Sequence, residues 1–303
     1  MYTYNQNTPI LLLVYNRPEL TAQVFNRIKE AAPKKLYVAA DGPRNETEVE
    51  RCNQVKQLVS EIDWDCELKT LFRTKNLGCG NAVSKGIDWF FEQEDSGIIL
   101  EDDCLPEPSF FAFCSTLLAH FKDDGRVGHI SGSNFQDGII RGDGNYYYAG
   151  LTHVWGWASW RRVWKDYDFK ITSFPKFDQH FTSFPGHQPF AKNWAEIFTK
   201  VANGAIDTWD YQYAYLNLVM GYKAIMPNVN MVRNIGIGEQ ATHTFGDHPL
   251  ASKVFGIMHE IIHPTFNTQN VEADIYTQNK EFYIKPNQKS LLSKAWKAIK
   301  NNL

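Results

Sequence analysis

Residues 98–103 read Ile98, Ile99, Leu100, Glu101, Asp102, Asp103, an apolar run with two β-branched side chains that ends in three carboxylates. Such a run suits a buried strand, and the acids at its end must then emerge at the lip of a crevice. Like charges crowded there repel one another unless a cation joins them. A donor set made only of oxygen suits a hard divalent ion, Mn²⁺ or Mg²⁺, which commonly takes phosphate oxygens as further ligands. The chemistry expected of this stretch is a strand-end metal and diphosphate site.

Two other apolar runs end in the same way. Residues 9–15 lead into Asn16, Arg17 and Pro18, and residues 36–40 close on Asp41, Gly42 and Pro43. Each ending is also ordinary turn chemistry. Helical patterns cover 19–31, 46–62 and 82–92, a further strand fits 66–72, and 76–81 is a glycine-bearing loop. Strands alternating with helices predict a central, mostly parallel sheet with crossover connections, an α/β Rossmann-like fold. Ligands of such sheets sit outside the carboxyl ends of the strands, where Arg17, Asp41 and the acidic triplet converge.

Beyond Gly125 the pattern changes to short strands (127–132), the aromatic triplet 146–148 and the run Trp155, Gly156, Trp157, Ala158, Ser159, Trp160. No low-complexity linker intervenes. The expected organisation is a nucleotide-binding half (1–125), a second half of the same domain that holds acceptor and catalytic groups (126–250), and a C-terminal extension (251–303). Asp207 and Asp210, three apart, bracket Trp209, and Asp207 is a candidate N-cap for a helical pattern over 208–220. The segment 234–244 carries two glycines without a P-loop lysine, so it reads as a weak phosphate cradle or a flap. His259, Glu260 and His263 match HExxH, but Pro264 follows at once and no third ligand pattern is evident, which argues against a zinc protease.

The 303 residues, with 20 Phe, 14 Tyr, 9 Trp and a net charge of −3, describe an aromatic-rich globular chain with no bias toward nucleic acid. Five scattered cysteines form no CxxC pair, which fits a reducing cytoplasm better than a disulfide framework. No window is long enough for a membrane span. Residues 289–303 have apolar positions at helical spacing with interleaved lysines, a basic amphipathic helix that suits either docking on its own domain or peripheral contact with the inner face of a membrane.

The stretch 100–111, Leu-Glu-Asp-Asp-Cys-Leu-Pro-Glu-Pro-Ser-Phe-Phe, resembles the metal-binding segment of GT-A glycosyltransferases. It looks most like the N-acetylglucosaminyltransferase I type and the bacterial nucleotide-diphospho-sugar transferases of surface polysaccharide assembly, over roughly residues 9–244. The resemblance implies a GT-A-type fold and inverting transfer of a sugar, from a UDP-linked donor, to a glycan or lipid-linked acceptor. It also implies roles: Arg17, Asp41 and Asn76 at the uridine, Glu101 and Asp102 at sugar and ribose hydroxyls, Asp103 and His243 on the metal, and Trp157 beside the sugar. Asp210 resembles the base, with Asp207 in reserve, although Tyr211 stands where the family pattern has a second acid. The alternatives are a sugar-nucleotide nucleotidyltransferase, whose usual glycine-rich loop after the first strand is missing at 15–18, and a non-catalytic sugar- or membrane-binding protein.

Overall fold

A computed structural model of the protein describes residues 3–177, 190–236 and 255–280. β1 (Ile10–Val14) has the sequence ILLLV and is buried at every position, the signature of a central strand covered on both faces. It pairs in parallel with β2 (Lys35–Ala40) on one side and β4 (Ser96–Glu101) on the other. β3 (Glu67–Phe72) adds to β2 and is only partly covered, as befits an edge. The helices α1 (Pro18–Ala31), α2 (Val49–Ser60) and α3 (Cys79–Phe91) make the crossovers. These elements match the sequence pattern closely, with a short 3-10 turn (Glu46–Glu48) opening the second helix.

The same sheet continues through the second half. Among the described residues eight strands run in the order β3-β2-β1-β4-β8-β6-β9-β7, where β6 is Val127–Ser131, β7 Tyr146–Ala149, β8 Trp157–Trp160 and β9 Lys223–Pro227. Only β8 and β7 run against the others, so the sheet is mostly parallel. The fold is α/β with a large Rossmann-like sheet flanked by helices. β5 (Cys104–Pro106), immediately after the acidic triplet, pairs with β10 (Val232–Asn234) in a separate ribbon. α4 (Ser109–His120) packs against β4, β8 and β6. The remaining helices are α5 (Arg161–Trp164), α6 (Phe174–Phe177), α7 (Ala191–Ala202), α8 (Asp210–Met220) and α9 (Val271–Lys280).

Two expectations, for Trp157 and Asp207, are corrected. Trp157 is fully buried and stacks between Trp209 and His129, with centroids 5.7 and 5.5 Å away, so it is a core side chain and not a sugar platform. Trp155, two residues earlier and outside β8, lines the cleft instead, because Gly156 (φ 63°) turns the backbone between the two indoles. Asp207 does not cap the helix at 208–220: that helix begins at Asp210 with Trp209 at its N-cap. The HExxH segment is not helical, and His263 is occupied by Tyr146, 2.8 Å from its Nδ1. His243 and the amphipathic segment 289–303 lie outside the described residues. No helix among the described residues is long and apolar enough to cross a membrane.

α9 is tied to the sheet by a buried carboxylate. Asp274 accepts from the Gly150 N–H (2.9 Å) and Gln269 Nε2 (2.6 Å), and burial pushes its pKa up to about 6. An unfolded aspartate titrates near about 3.9, so between those values the folded chain keeps a proton that the unfolded chain has lost. Stability from this group is therefore full below pH ~4 and falls by about 2–3 kcal/mol as the pH rises to ~6. Thermal melts of wild type and Asp274→Asn across pH 4–6.5 check this. The wild type should lose stability relative to the variant with rising pH, and parallel curves would contradict the assignment.

Candidate functional site

The carboxyl ends of β1, β2, β3 and β4 open on one cleft of roughly 1230 Å³, larger than a typical small-molecule pocket. Arg17 occupies its centre. It stands three residues beyond the end of β1 and immediately before Pro18, which starts α1 because a proline is accommodated in the first helical turn. Its guanidinium forks over the acidic tip: NH2 bonds Asp102 Oδ1, and NH1 reaches Asp103 Oδ2 at 3.0 Å. Although burial works against its charge, Asp102 and Asp103 hold Arg17 firmly protonated. Asp102, 2% exposed, also accepts from the Tyr15 N–H at 3.3 Å. Burial raises its carboxyl, and the Arg17 ion pair works against that rise.

Glu101 is the unmatched member. Burial first, then the charges of Asp103 and Asp102, lift its carboxyl well above the usual range. The Arg17 fork meets Asp102 and Asp103, and Glu101 has no cation paired with it among the described residues. Among the described residues no three His, Cys, Asp or Glu groups converge as a ready-made metal cage. The donor chemistry nevertheless fits a hard divalent cation held by Asp103 and Glu101 together with oxygens of a ligand, since Asp102 is committed to Arg17. Gly236 overlies this tip: a Cβ there would lie 2.5 Å from Asp103 Oδ2 and 3.0 Å from Arg17 NH1. The Ile235 N–H to Asp103 carbonyl bond (2.8 Å) continues the β5–β10 ribbon and brings it there.

Asp41 ends β2 and is buried. It accepts from the Gly42 N–H (2.9 Å), the Leu77 N–H (3.1 Å) and Asn76 Nδ2 (2.9 Å). Burial raises its carboxyl while those backbone donors pull the other way. Asp41 and Asn76 thus come together as foreseen, and their first partners are each other and the loop they shape. Both line the cleft.

The two acids of the second half also face the cleft, with distinct local duties. Asp207 accepts from the Cys79 N–H (3.1 Å) and the Gly80 N–H (3.0 Å), satisfying free donors in the first turn of α3. This explains why α3 begins at Cys79, earlier than the pattern at 82–92 suggests. Gly78 (φ 79°) and Gly80 make room for the contact, since a Cβ at either would come within 2.7 Å of the Asp207 carboxylate. Asp210 Oδ1 bonds the Thr208 hydroxyl and accepts from the Tyr211 N–H at 2.9 Å.

Sequence reasoning missed Arg73, Trp155 and Trp209, which line the cleft together with Asn234 and Gly236 from the glycine-bearing segment noted at 234–244. Arg73 directly follows β3, so the strand-end rule that found Arg17 and Asp41 reaches it too. Trp155 and Trp209 had no such signal, because neither follows a strand: Trp155 precedes β8 and Trp209 is the N-cap of α8.

No protein-family model matches the chain, and no curated protein matches it in sequence. Solved structures are similar over part of it. HddC from Yersinia pseudotuberculosis is 9% identical at a TM-score of 0.34, covering 56% of this chain and 86% of that one. The inositol-1-phosphate CTP transferase from T. maritima is 11% identical at 0.33, covering 54% and 74%. A UDP-glucose pyrophosphorylase complexed with UDP-glucose is 9% identical at 0.36, covering 73% and 89%. Those whose activity is named are a CTP transferase and a pyrophosphorylase, and the expected transfer of a sugar to a glycan or lipid-linked acceptor finds no support among them. The reading as a metal-dependent glycosyltransferase is withdrawn.

Removing the Asp207 carboxylate should free the first turn of α3. Asp207→Ala is expected to cost about 1–2 kcal/mol of stability, the usual scale for a lost cap. Hydrogen exchange at the amides of Cys79 and Gly80 should accelerate selectively. Unchanged protection at those two amides would refute the capping role.

Proposed function

We propose that this protein is a sugar-nucleotide nucleotidyltransferase, joining a nucleoside triphosphate to a sugar 1-phosphate with release of pyrophosphate. The observation that carries the proposal is the state of the second-half acids. Asp207 has both oxygens on the first turn of α3, and Asp210 has Oδ1 tied to Thr208 and the Tyr211 N–H, so both second-half acids serve the fold. Nucleotidyl transfer needs no general base. The attacking oxygen of a sugar phosphate is already ionised at neutral pH, so positioning and charge stabilisation are what the protein must supply.

The cleft suits that task. Arg17 presents a fork of donors beside the N-terminus of α1, where free amides and the helix dipole favour phosphate. The β1–α1 connection contains no glycine, so the guanidinium takes the place of a backbone cradle there. Asp103 and Glu101 would hold the divalent cation, Mg²⁺ or Mn²⁺. When bound, that ion supplies positive charge to the phosphate oxygens. Asp102 keeps Arg17 aimed at the same spot. The sugar-phosphate oxygen then bonds to the α-phosphorus as the bond to the bridging oxygen of pyrophosphate breaks, and pyrophosphate leaves.

The reverse reaction is the simplest test. Purified protein with Mg²⁺, pyrophosphate and a UDP- or GDP-sugar should form the nucleoside triphosphate and sugar 1-phosphate. Asp103→Asn should lower that turnover at least ~100-fold. It should also abolish the gain in nucleotide affinity that the cation gives in calorimetry. Binding without any triphosphate formed would mark a nucleotide-binding protein and overturn the assignment.

A further inference from the structure

Four arginines line the cleft: Arg17, Arg44, Arg51 and Arg73. Three are committed. Arg17 holds Asp102 and Asp103; Arg44 pairs with Glu48 and lies over the Tyr15 ring; Arg51 pairs with Glu19 and donates to the Asn16 carbonyl. Arg73 makes no side-chain hydrogen bond or salt bridge among the described residues. Its nearest acid, Asp41, attracts it only at longer range, because that carboxylate is taken up by Gly42, Leu77 and Asn76. A half-buried guanidinium without an anion is costly, and such groups mark places where a ligand supplies acceptors.

The backbone that carries Arg73 is fixed. Its N–H donates to the Ala40 carbonyl at 3.0 Å, and its carbonyl accepts from Lys56 Nζ at 3.2 Å. Two residues on, the backbone of Lys75 packs so closely that a Cβ at Gly42 would meet it at 2.5 Å. Position follows from the sheet. The phosphate-directed groups stand at the ends of β1 and β4, whereas Arg73 stands at the end of β3, two strands away from β1. Two strand spacings are roughly 10 Å, about the reach of a nucleoside from its phosphates to the edge of its base.

Resting on the nucleotide-binding reading above, we infer that Arg73 is a specificity-determining residue that selects the nucleobase. A guanidinium can only donate hydrogen bonds. It therefore favours a base edge bearing an exocyclic carbonyl oxygen, O4 of uracil or O6 of guanine, and opposes the amino groups of cytosine and adenine. The ligand class is a uridine or guanosine nucleotide.

Calorimetric titration of the whole protein with UDP, GDP, CDP and ADP in the presence of Mg²⁺ tests the inference. Wild type should bind UDP or GDP at least ~10-fold more tightly than CDP and ADP, the scale of one well-placed polar contact. Arg73→Leu should bring all four within ~3-fold of one another, with CDP and ADP nearly unchanged. Arg73→Gln, which can both donate and accept, should relax the preference in the same direction and guards against a folding artefact of the leucine variant. Equal losses for all four nucleotides in both variants would mean that Arg73 meets phosphate, and a preference that survives both variants would place base selection elsewhere; either result overturns the inference while leaving nucleotide binding intact. Wild type that binds none of the four would instead bring down the nucleotide-binding reading itself.

Discussion

The arginine fork at the ends of β1 and β4 is the constraint around which the cleft is organised. β1 and β4 are adjacent and in register, with Leu13 opposite Glu101, so the turn after one strand must lie against the turn after the other. Both turns carry charge. Without Arg17, Asp102 would be a buried carboxylate with only the Tyr15 amide to meet it, a situation that strongly destabilises a fold. With Arg17 in place the same groups lock the β1–α1 connection to the β4–β5 connection, and the Thr21 hydroxyl adds a bond to the Arg17 carbonyl at 2.8 Å. The fork thus does structural work first, and its remaining donors and the unmatched Glu101 are what the cleft offers a ligand.

A second polar contact reaches across from the other half of the chain. Asp207 grips the first turn of α3, while directly beneath it Trp209 stacks on Trp157 in a cluster that includes Trp164 and Tyr213. Aromatic packing of this density resists compression and leaves few alternative rotamers. The cleft wall at 205–210 is therefore anchored twice, by a cap to one helix and by a buried indole to the core. This division of labour explains why the aromatic run 155–160 contributes only Trp155 to the cleft. The pleat turns Trp157 inward, where it supports the wall from behind.

Much of this was legible in the sequence wherever hydrophobic runs were long. The runs at 10–14, 36–40 and 98–100 announced central strands, and the polar residues closing them, Arg17, Asp41 and Glu101 to Asp103, do meet at one cleft. What the pattern could not disclose was partnership. Nothing local says that Asp207 serves a helix some 130 residues earlier in the chain rather than the one that follows it, because capping by a distant residue leaves no periodic trace. Trp157 illustrates the same limit: a Gly-Trp segment looks alike whether its indole faces a sugar or a core, and only the register of β8 against β4 and β6 decides. Arg73 was hidden for a different reason. β3 is an edge strand with mixed polarity, and although its end at residue 72 was legible, nothing local marked the arginine that follows as facing the cleft.

The distribution of charge around the cleft gives it a direction. At the β4 end three acids outnumber their one arginine, and at the β3 end Arg73 stands without a close acid. The chain as a whole carries a net charge of only −3, so a ligand is oriented by these local groups and not by a global field. A nucleotide bound as proposed would answer both ends at once: its phosphates would bring a divalent cation to the acidic tip, and its base would bring carbonyl acceptors to the far guanidinium. Reversed, the same molecule would set phosphate oxygens without their cation against Glu101 and leave Arg73 facing a sugar. Under the proposed function, the polarity of the cleft would therefore fix which end of the ligand meets Arg17, Glu101 and Asp103.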